Sequence, residues 1–224
     1  MRNILSKLII TTLAVAIPLL IPFQVFAAST ISLSPSTNTT WPYRSFSVQV
    51  LESSGTTPIN AVLAKVTYPI ASLTCTGISV AGGAFVIPNS DSVNFGNLSS
   101  CSGGAVTIVE GVTGTGISGS SKLVATINFK VNASPTLGAA AVSFASGSAV
   151  VNGSTNTNDL GSSSGGSYNI CKMIDLDCNG TININDAGTF LTYWQTRDQF
   201  DDIDGNGTVN INDAGTFLTY WQTR

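Results

Sequence analysis

Hydrophobic and polar residues alternate along most of the chain between Ser29 and Gly153. In the segment SFSVQV, the apolar residues Phe46, Val48 and Val50 are separated by polar ones, and KLVATINFKV (122–131) has the same period of two. Strands with one buried and one exposed face show this alternation, and clusters of Gly, Ser, Asn and Pro separate the segments. The pattern predicts a mainly β domain over residues 28–155, built as an antiparallel β-sandwich.

A helical period appears near the end of the chain, and it appears twice. Segments 174–197 and 201–224 are identical at 20 of 24 positions, which indicates a duplicated supersecondary unit. Each copy contains apolar side chains at helical spacing. The two sets are Ala187, Phe190, Leu191 and Trp194, and Ala214, Phe217, Leu218 and Trp221. We therefore expect a small all-α domain over residues 171–224.

Two segments are expected to lie outside both domains. Residues 156–170 are rich in Gly, Ser and Asn and predict a flexible linker. Residues 1–27 combine a cationic start, an apolar run interrupted by Pro18 and Pro22, and the sequence VFA before Ala28, which is typical of a secretory signal peptide. We expect a secreted, extracellular or cell-surface protein with no stable membrane insertion after cleavage.

The charged and polar residues narrow the range of functions. Basic residues are not clustered, so a nucleic acid partner is not expected. The chain has no His, and Glu52 and Glu110 are its only glutamates, which leaves no evident catalytic arrangement. We expect a protein that is not an enzyme. Eight of its twelve acidic residues lie between Asp175 and Asp213, in the duplicated region.

Four cysteines in an exported chain favour disulfide bonds over free thiols or a metal site. Three pairings are possible. The local pairing, Cys75–Cys101 and Cys171–Cys178, keeps each bridge within one predicted domain and is the one we expect.

Each repeat contains oxygen-bearing side chains at the spacing of an EF-hand-like calcium loop. Counted from Asp175, oxygen ligands fall at positions 1, 3, 5 and 12, and Gly180 occupies position 6, where the loop turns sharply. Position 7 offers a backbone carbonyl, and position 9 can act through water. The predicted ligands of two Ca²⁺ ions, one per repeat, are Asp175, Asp177, Asn179, Thr181, Asn183 and Asp186, and Asp202, Asp204, Asn206, Thr208, Asn210 and Asp213.

An Asp- and Asn-rich turn without a metal is the alternative interpretation of these loops. Hard oxygen ligands favour calcium over zinc or copper, and magnesium requires a tighter octahedral site. Three carboxylates close together repel one another without a cation, so we expect calcium binding and folding of the loops to be coupled.

The tandem pattern D-x-D-x-N-G-x-[IV]-N-x-x-D, followed each time by one helix, resembles a type I dockerin over residues 171–224. Dockerins bind cohesins, which are jelly-roll β-sandwiches, in cellulosome-type assemblies that degrade polysaccharides. The segments INAVLAKVTYP and GISGSSKLVATINFKV resemble cohesin strands. The resemblance implies a non-catalytic assembly protein that carries a cohesin-like and a dockerin-like domain. Its partners would be cohesin-type or dockerin-type domains, including copies of itself.

The dockerin resemblance also implies a partner-binding surface at loop positions 10 and 11 and helix positions 17 and 18. The corresponding residues here are Ile184, Asn185, Leu191 and Thr192, and Ile211, Asn212, Leu218 and Thr219. Dockerins often carry Ser or Thr and basic residues at these positions, so the apolar set here implies a different partner preference. Packing of Leu191 and Leu218 in the core is the alternative, and Tyr193 and Tyr220 are rival contact residues.

A carbohydrate-binding sandwich is the alternative function for the first domain. Such a site needs exposed aromatic rings, and the candidates are Trp41, Tyr43, Tyr68 and Phe85.

Overall fold

The computed structural model describes residues 28–85 and 98–223. The predicted signal peptide (1–27) lies outside the described residues. The described chain forms two β-sheets followed by a small helical unit. Among these residues, no helix is both long enough and apolar enough to span a membrane.

The described residues contain thirteen strands and two α-helices. The strands are β1 (Ser29–Ser34), β2 (Thr37–Thr40), β3 (Ser45–Ser53), β4 (Gly55–Thr67), β5 (Leu73–Ser79), β6 (Ser100–Ser102), β7 (Ala105–Gly111), β8 (Ile117–Gly119), β9 (Lys122–Val131), β10 (Gly138–Phe144), β11 (Ala149–Asn152), β12 (Leu160–Ser164) and β13 (Gly166–Ile170). The helices are α1 (Ile184–Thr196) and α2 (Ile211–Gln222), with a short 3-10 helix (Gln199–Asp201) between them.

The strands form a five-stranded and an eight-stranded sheet. The first has the order β12-β1-β3-β9-β5. The second has the order β2-β13-β10-β4-β7-β6, with β8 and β11 also paired to the long strand β4. Most pairs are antiparallel, and the exceptions are β1 with β12 and β2 with β13. The predicted β-sandwich is confirmed.

The alternating residues of both sheets meet in one apolar core. Val48 and Val50 of β3, Ile127 and Phe129 of β9, and Ile108 of β7 are fully buried. The register of β3 and β9 shifts between Val50 and Leu51, so the alternation predicted along β9 breaks at its start and Val124 is buried as well as Ala125. The Cys75–Cys101 disulfide joins β5 to β6, the edge strands of the two sheets. This predicted bridge is therefore confirmed, and it fastens one side of the sandwich.

The predicted linker over residues 156–170 is wrong, because most of this segment forms strands β12 and β13. Strand β12 pairs with β1, and β13 lies between β2 and β10. Backbone groups make these ladders, so a Gly- and Ser-rich segment can pair when a few apolar side chains anchor it. Tyr168 and Ile170 anchor β13, being 0% and 1% exposed, and Leu160 of β12 packs against the same core. The sandwich thus extends to Ile170, and the repeats begin directly after it.

The two helices pack through one apolar cluster. The rings of Phe190 and Phe217 are stacked with centroids 4.4 Å apart. Ile174, Leu176 and Ile203 complete the buried part of the cluster. Leu191 and Leu218 were predicted to lie on the same stripe, but they are 57% and 55% exposed, so that part of the helical prediction is wrong. The alternative in which these leucines belong to the core is excluded as well.

Candidate functional site

Loop 1 (residues 175–186) gathers its predicted ligands around one point. Carboxylate oxygens of Asp175, Asp177 and Asp186 lie within 4.8 Å of one another. Asp175 accepts hydrogen bonds from the backbone N–H groups of Asn179 (3.0 Å) and Gly180 (2.9 Å), which curl the loop around its first carboxylate. Gly180 has φ 86°, so the sharp turn predicted at position 6 is confirmed and requires the left-handed region.

Asp186 closes loop 1 onto helix α1. Its side chain is fully buried and accepts hydrogen bonds from the N–H groups of Leu176 (2.7 Å) and Asn183 (2.7 Å). The second bond forms a capping box, since the Asn183 side chain caps the same helix end. The residue at position 12 therefore fixes both the loop and the start of the helix.

Loop 2 (residues 202–213) repeats this arrangement. Carboxylate oxygens of Asp202, Asp204 and Asp213 lie within 4.8 Å of one another. Asp202 Oδ2 accepts from the Gly207 N–H at 2.9 Å, and Asp213 accepts from the Asn210 N–H at 2.8 Å. Asp202 Oδ1 is buried and has no hydrogen-bond partner within residues 28–85 and 98–223. An oxygen of this kind is costly to bury unless a cation or a donor satisfies it.

The remaining predicted ligands also lie on the loops. The side-chain oxygens of Asn179 and Asn206 accept from the N–H groups two residues later, at 2.8 Å in each loop. The carbonyls of Thr181 and Thr208 accept from the amides of Asn183 and Asn210, at 3.1 Å in each loop. All twelve predicted ligands thus fall on two matching loops.

The chemistry of this donor set fits calcium. Every donor is a hard oxygen, three carboxylates converge in each loop, and loop 2 leaves a buried carboxylate oxygen without a partner in the described residues. Burial raises the pKa of Asp175, while the backbone N–H groups of Gly180 and Asn179 act in the opposite direction. A bound cation would favour the ionised carboxylates further.

The repeats differ at loop position 4, which is Cys178 in loop 1 and Gly205 in loop 2. Cys178 forms a disulfide with Cys171, so the second predicted bridge is confirmed and links loop 1 to the residue that follows β13. Gly205 lies instead against the ring of Tyr43, where a Cβ atom would come within 2.8 Å of Tyr43 Cβ. Each loop is therefore held to the sandwich in a different way.

On the sandwich side, the sandwich–repeat contact is formed by Trp41, Tyr43 and Arg44, which all lie in the turn between β2 and β3. The Trp41 indole N–H donates to the carbonyl of Asp175 at 2.8 Å. Its ring packs edge-on against Phe200 with centroids 4.8 Å apart. The guanidinium of Arg44 donates to the carbonyl of Phe200 and lies 5.8 Å from the centre of that ring.

Sequence reasoning missed this contact. Two sequence features could have indicated it: the aromatic residues in the segment TTWPYR, and Asp201 in the second repeat at the position where the first repeat has the apolar Ile174. Asp201 is fully buried, and neither of its carboxylate oxygens has a hydrogen-bond partner among the described residues. Burial raises the pKa of Asp201 to about 7, against the effect of the nearby Arg44 charge. Burial lowers the pKa of Arg44, and the surrounding carboxylates, Asp202 first, oppose that change.

The contact also changes the interpretation of the candidate carbohydrate-binding rings. Trp41 is half-buried against Phe200, and Tyr43 is half-buried against Gly205. Tyr68 and Phe85 lie in the sandwich core, where they are 9% and 0% exposed. None of these four rings forms an open platform.

The predicted partner-binding residues of the two repeats are all exposed. Ile184 and Ile211 are 74% and 75% exposed, so the two repeats present this side chain almost equally, as their duplicated sequence predicts. Thr192 and Thr219 donate their hydroxyls to carbonyls of their own helices, at 2.9 and 2.8 Å. Tyr193 packs on Phe200 with centroids 4.6 Å apart, so this rival contact residue has a role within the chain. Tyr220 remains exposed.

Solved structures with a similar fold are cohesin domains. A chain of a CaDoc0917–CaCohA2 complex matches with a TM-score of 0.51 and 16% identity, covering 64% of this chain and 99% of that one. The seventh ScaB type I cohesin of Pseudobacteroides cellulosolvens matches with a TM-score of 0.51 and 14% identity, covering 65% and 93%. The solution structure of CaCohA2 from Clostridium acetobutylicum matches with a TM-score of 0.49 and 19% identity, covering 64% and 92%.

The two similarities at a TM-score of 0.51 show that the chain contains a cohesin-like β-sandwich. No family model matches the sequence, and no curated protein matches it.

Proposed function

We propose that this chain is a secreted, non-catalytic assembly protein whose C-terminal repeats bind a partner domain when loaded with calcium. The observation that carries the proposal is the pair of matching all-oxygen loops, each adjoining an exposed apolar surface, on the same chain as a cohesin-like sandwich. The two disulfides agree with export to an oxidising environment.

One calcium ion would be held in loop 1 by Asp175, Asp177, Asn179, the Thr181 carbonyl, Asn183 and Asp186. The other would be held by their counterparts in loop 2. Calcium would supply positive charge that offsets the repulsion of three converging carboxylates. Calcium binding would also stabilise the first turns of the two helices, because Asp186 and Asp213 belong to the helix caps. The apolar surfaces at the helix starts would then be held in a fixed geometry.

The partner surface comprises Ile184, Asn185, Leu191 and Thr192, with Ile211, Asn212, Leu218 and Thr219 as the equivalent set. Exposed isoleucine and leucine side chains favour an apolar partner, because burying them releases water from a large nonpolar area. Through its resemblance to dockerins, we assign a cohesin-type domain as that partner. The sandwich of this chain would correspondingly receive a dockerin-type domain, as its likeness to a cohesin suggests.

Binding takes place between chains rather than within one. Strand β13 ends at Ile170 and leads directly to Cys171, so no flexible linker is available to carry the repeats onto their own sandwich. The sandwich–repeat contact uses loops 1 and 2 and leaves Ile184 and Ile211 exposed. A contact between different surfaces of successive copies produces open fibres or closed rings. We therefore favour head-to-tail self-assembly, with bridging of two other proteins as the alternative.

Light scattering of the mature full-length chain over a range of protein concentrations tests this function. In calcium, the mean mass should rise with concentration, and addition of a chelator should return it to the monomer mass. Titration of the same chain with type I cohesin modules separates self-assembly from bridging. A monomer in both conditions that binds no cohesin module would contradict the proposed function.

A further inference from the structure

The sandwich touches both candidate calcium loops, and it touches each at a position that shapes the loop. Trp41 donates its indole N–H to the carbonyl of Asp175, the first residue of loop 1. Tyr43 lies on the backbone of Gly205, the fourth residue of loop 2. These contacts reach the loops through backbone atoms, so they depend on the conformation of the loops as well as on their presence.

The sandwich presents these two side chains from a constrained turn. Tyr43 has φ 66°, a left-handed conformation that is unusual for an aromatic residue. The N–H of Tyr43 donates to the carbonyl of Val131 at 3.1 Å, and the N–H of Val131 donates to the backbone carbonyl of Arg44 at 2.8 Å. A strained residue persists only where its surroundings determine its conformation, and such residues concentrate at functional contacts. The turn is therefore held rigidly against the end of β9.

Without a bound cation, each loop tends to expand, whereas the turn that contacts it is held rigidly. Three carboxylates within 4.8 Å of one another repel, and the repulsion is relieved when the loop expands. Expansion of loop 1 would move the Asp175 carbonyl away from Trp41. Expansion of loop 2 would move Gly205 away from Tyr43. The compact loop that suits calcium is thus also the loop that fits the sandwich.

We propose that Trp41 and Tyr43 are positioning residues for the calcium sites, so that calcium binding and the sandwich–repeat contact stabilise each other. Trp41 acts on loop 1 and Tyr43 on loop 2. The inference rests on the proposed function, because it requires both loops to bind calcium. Since coupling between two equilibria is reciprocal, calcium tightens the contact by the same factor by which the contact tightens calcium binding.

Calorimetric titration of the full chain with calcium alone tests the proposal, with one loop silenced at a time. In an Asp204→Asn background only loop 1 is intact, and Trp41→Phe should weaken calcium binding there at least about fivefold, near 1 kcal/mol. Phenylalanine keeps a ring against Phe200 but has no N–H for Asp175. In an Asp177→Asn background only loop 2 is intact, and Tyr43→Ala should weaken binding by a similar factor. Each variant should have little effect on the other loop.

Gln49→Ala is the matched control, because Gln49 is exposed on β3 and far from both loops in the sheet register. It should leave both affinities unchanged. X-ray scattering supplies a second measurement that needs no variant. At protein concentrations low enough for the wild-type chain to be a monomer in calcium, its radius of gyration should increase when calcium is removed. Unchanged affinities in both backgrounds, or an equal loss at both loops, would overturn the proposal. Absence of any calcium binding by the wild-type chain would instead refute the proposed function itself.

Discussion

The ring of Tyr43 lies so close to Gly205 that a Cβ atom at residue 205 would come within 2.6 Å of Tyr43 Cδ1. The equivalent position in the first repeat, Cys178, has the same left-handed backbone, with φ 54° against 72° at Gly205. Because a cysteine adopts this backbone in the first repeat, it is the space occupied by Tyr43 that requires glycine at residue 205.

Gly205→Ala should lower the free energy of unfolding by about 2–4 kcal/mol, of which left-handed strain contributes about 1–2 kcal/mol and overpacking the rest. Gly207→Ala is the control for strain alone, since Gly207 has φ 88° and open space around it. Urea denaturation measures both. In a Tyr43→Gly background, which also removes the Tyr43 Cβ, the difference between the two alanine variants should disappear, and its persistence would show that Tyr43 is not the obstacle.

The two disulfides should contribute differently to stability. Cys75–Cys101 closes a loop with a sequence separation of 26, so replacing both cysteines with serine should cost about 3–4 kcal/mol. Cys171–Cys178 has a separation of 7 and should contribute about 2 kcal/mol. Denaturation of the two double-serine variants, with the bridges of the wild-type chain verified by mass spectrometry, measures both values. A larger loss from the shorter bridge would contradict the assignment.

Glu52 should make the sandwich less stable as the pH rises. This side chain is fully buried, and burial raises its pKa from 4.5 to about 7, partly opposed by the Ser54 hydroxyl and the Lys122 charge. Because the folded state holds the proton more tightly than the unfolded state, the favourable contribution is complete below about pH 4.5 and is lost as the pH passes through about 7.

Glu52→Gln removes this titration while keeping the shape of the side chain. The variant should therefore gain stability relative to the wild type between pH 5 and 8, by about 1–3 kcal/mol at the upper end. Glu110→Gln should show a change in the same direction, because burial also raises the pKa of Glu110. Parallel urea titrations at several pH values measure the difference in the free energy of unfolding. A difference between the wild type and Glu52→Gln that stays constant with pH would rule out Glu52 as the source of the pH dependence.

The two partner surfaces should be interchangeable. Ile184→Asp or Ile211→Asp alone should leave calcium-dependent association largely intact, because the other repeat offers almost the same surface. The double variant should lose it. Gln195→Asp with Gln222→Asp is the control, since both glutamines are exposed on the same two helices and adding charge there should have little effect. Loss of association from a single isoleucine variant would exclude the two-surface interpretation.

The duplicated loops and the alternating strands could be predicted from the sequence because their signals are local. Asp175 and Asp186 belong to a short ligand spacing, and Val48 and Val50 to a simple period. The strands β12 and β13 could not be predicted, since their pairing depends on distant backbone partners and few apolar side chains anchor them, Leu160 in β12 and Tyr168 and Ile170 in β13. The sandwich–repeat contact joins residues that are far apart in the chain, as Trp41 and Phe200 are.

Leu191 and Leu218 show a different limit of sequence reasoning. Helical spacing places each leucine beside a phenylalanine, but the facing helix contacts only a narrow stripe. Phe190 and Phe217 fill that stripe by stacking on each other. The neighbouring leucines are left on the surface, where a partner can reach them.

Native mass spectrometry of the mature chain is the most direct test of the central claim, that the duplicated loops are calcium sites. The wild-type chain should carry two calcium ions, one for each cluster of three carboxylates. Asp177→Asn and Asp204→Asn should each reduce the count to one, and the double variant should carry none. A wild-type chain that retains no calcium at millimolar concentration, or variants that keep both ions, would contradict the account.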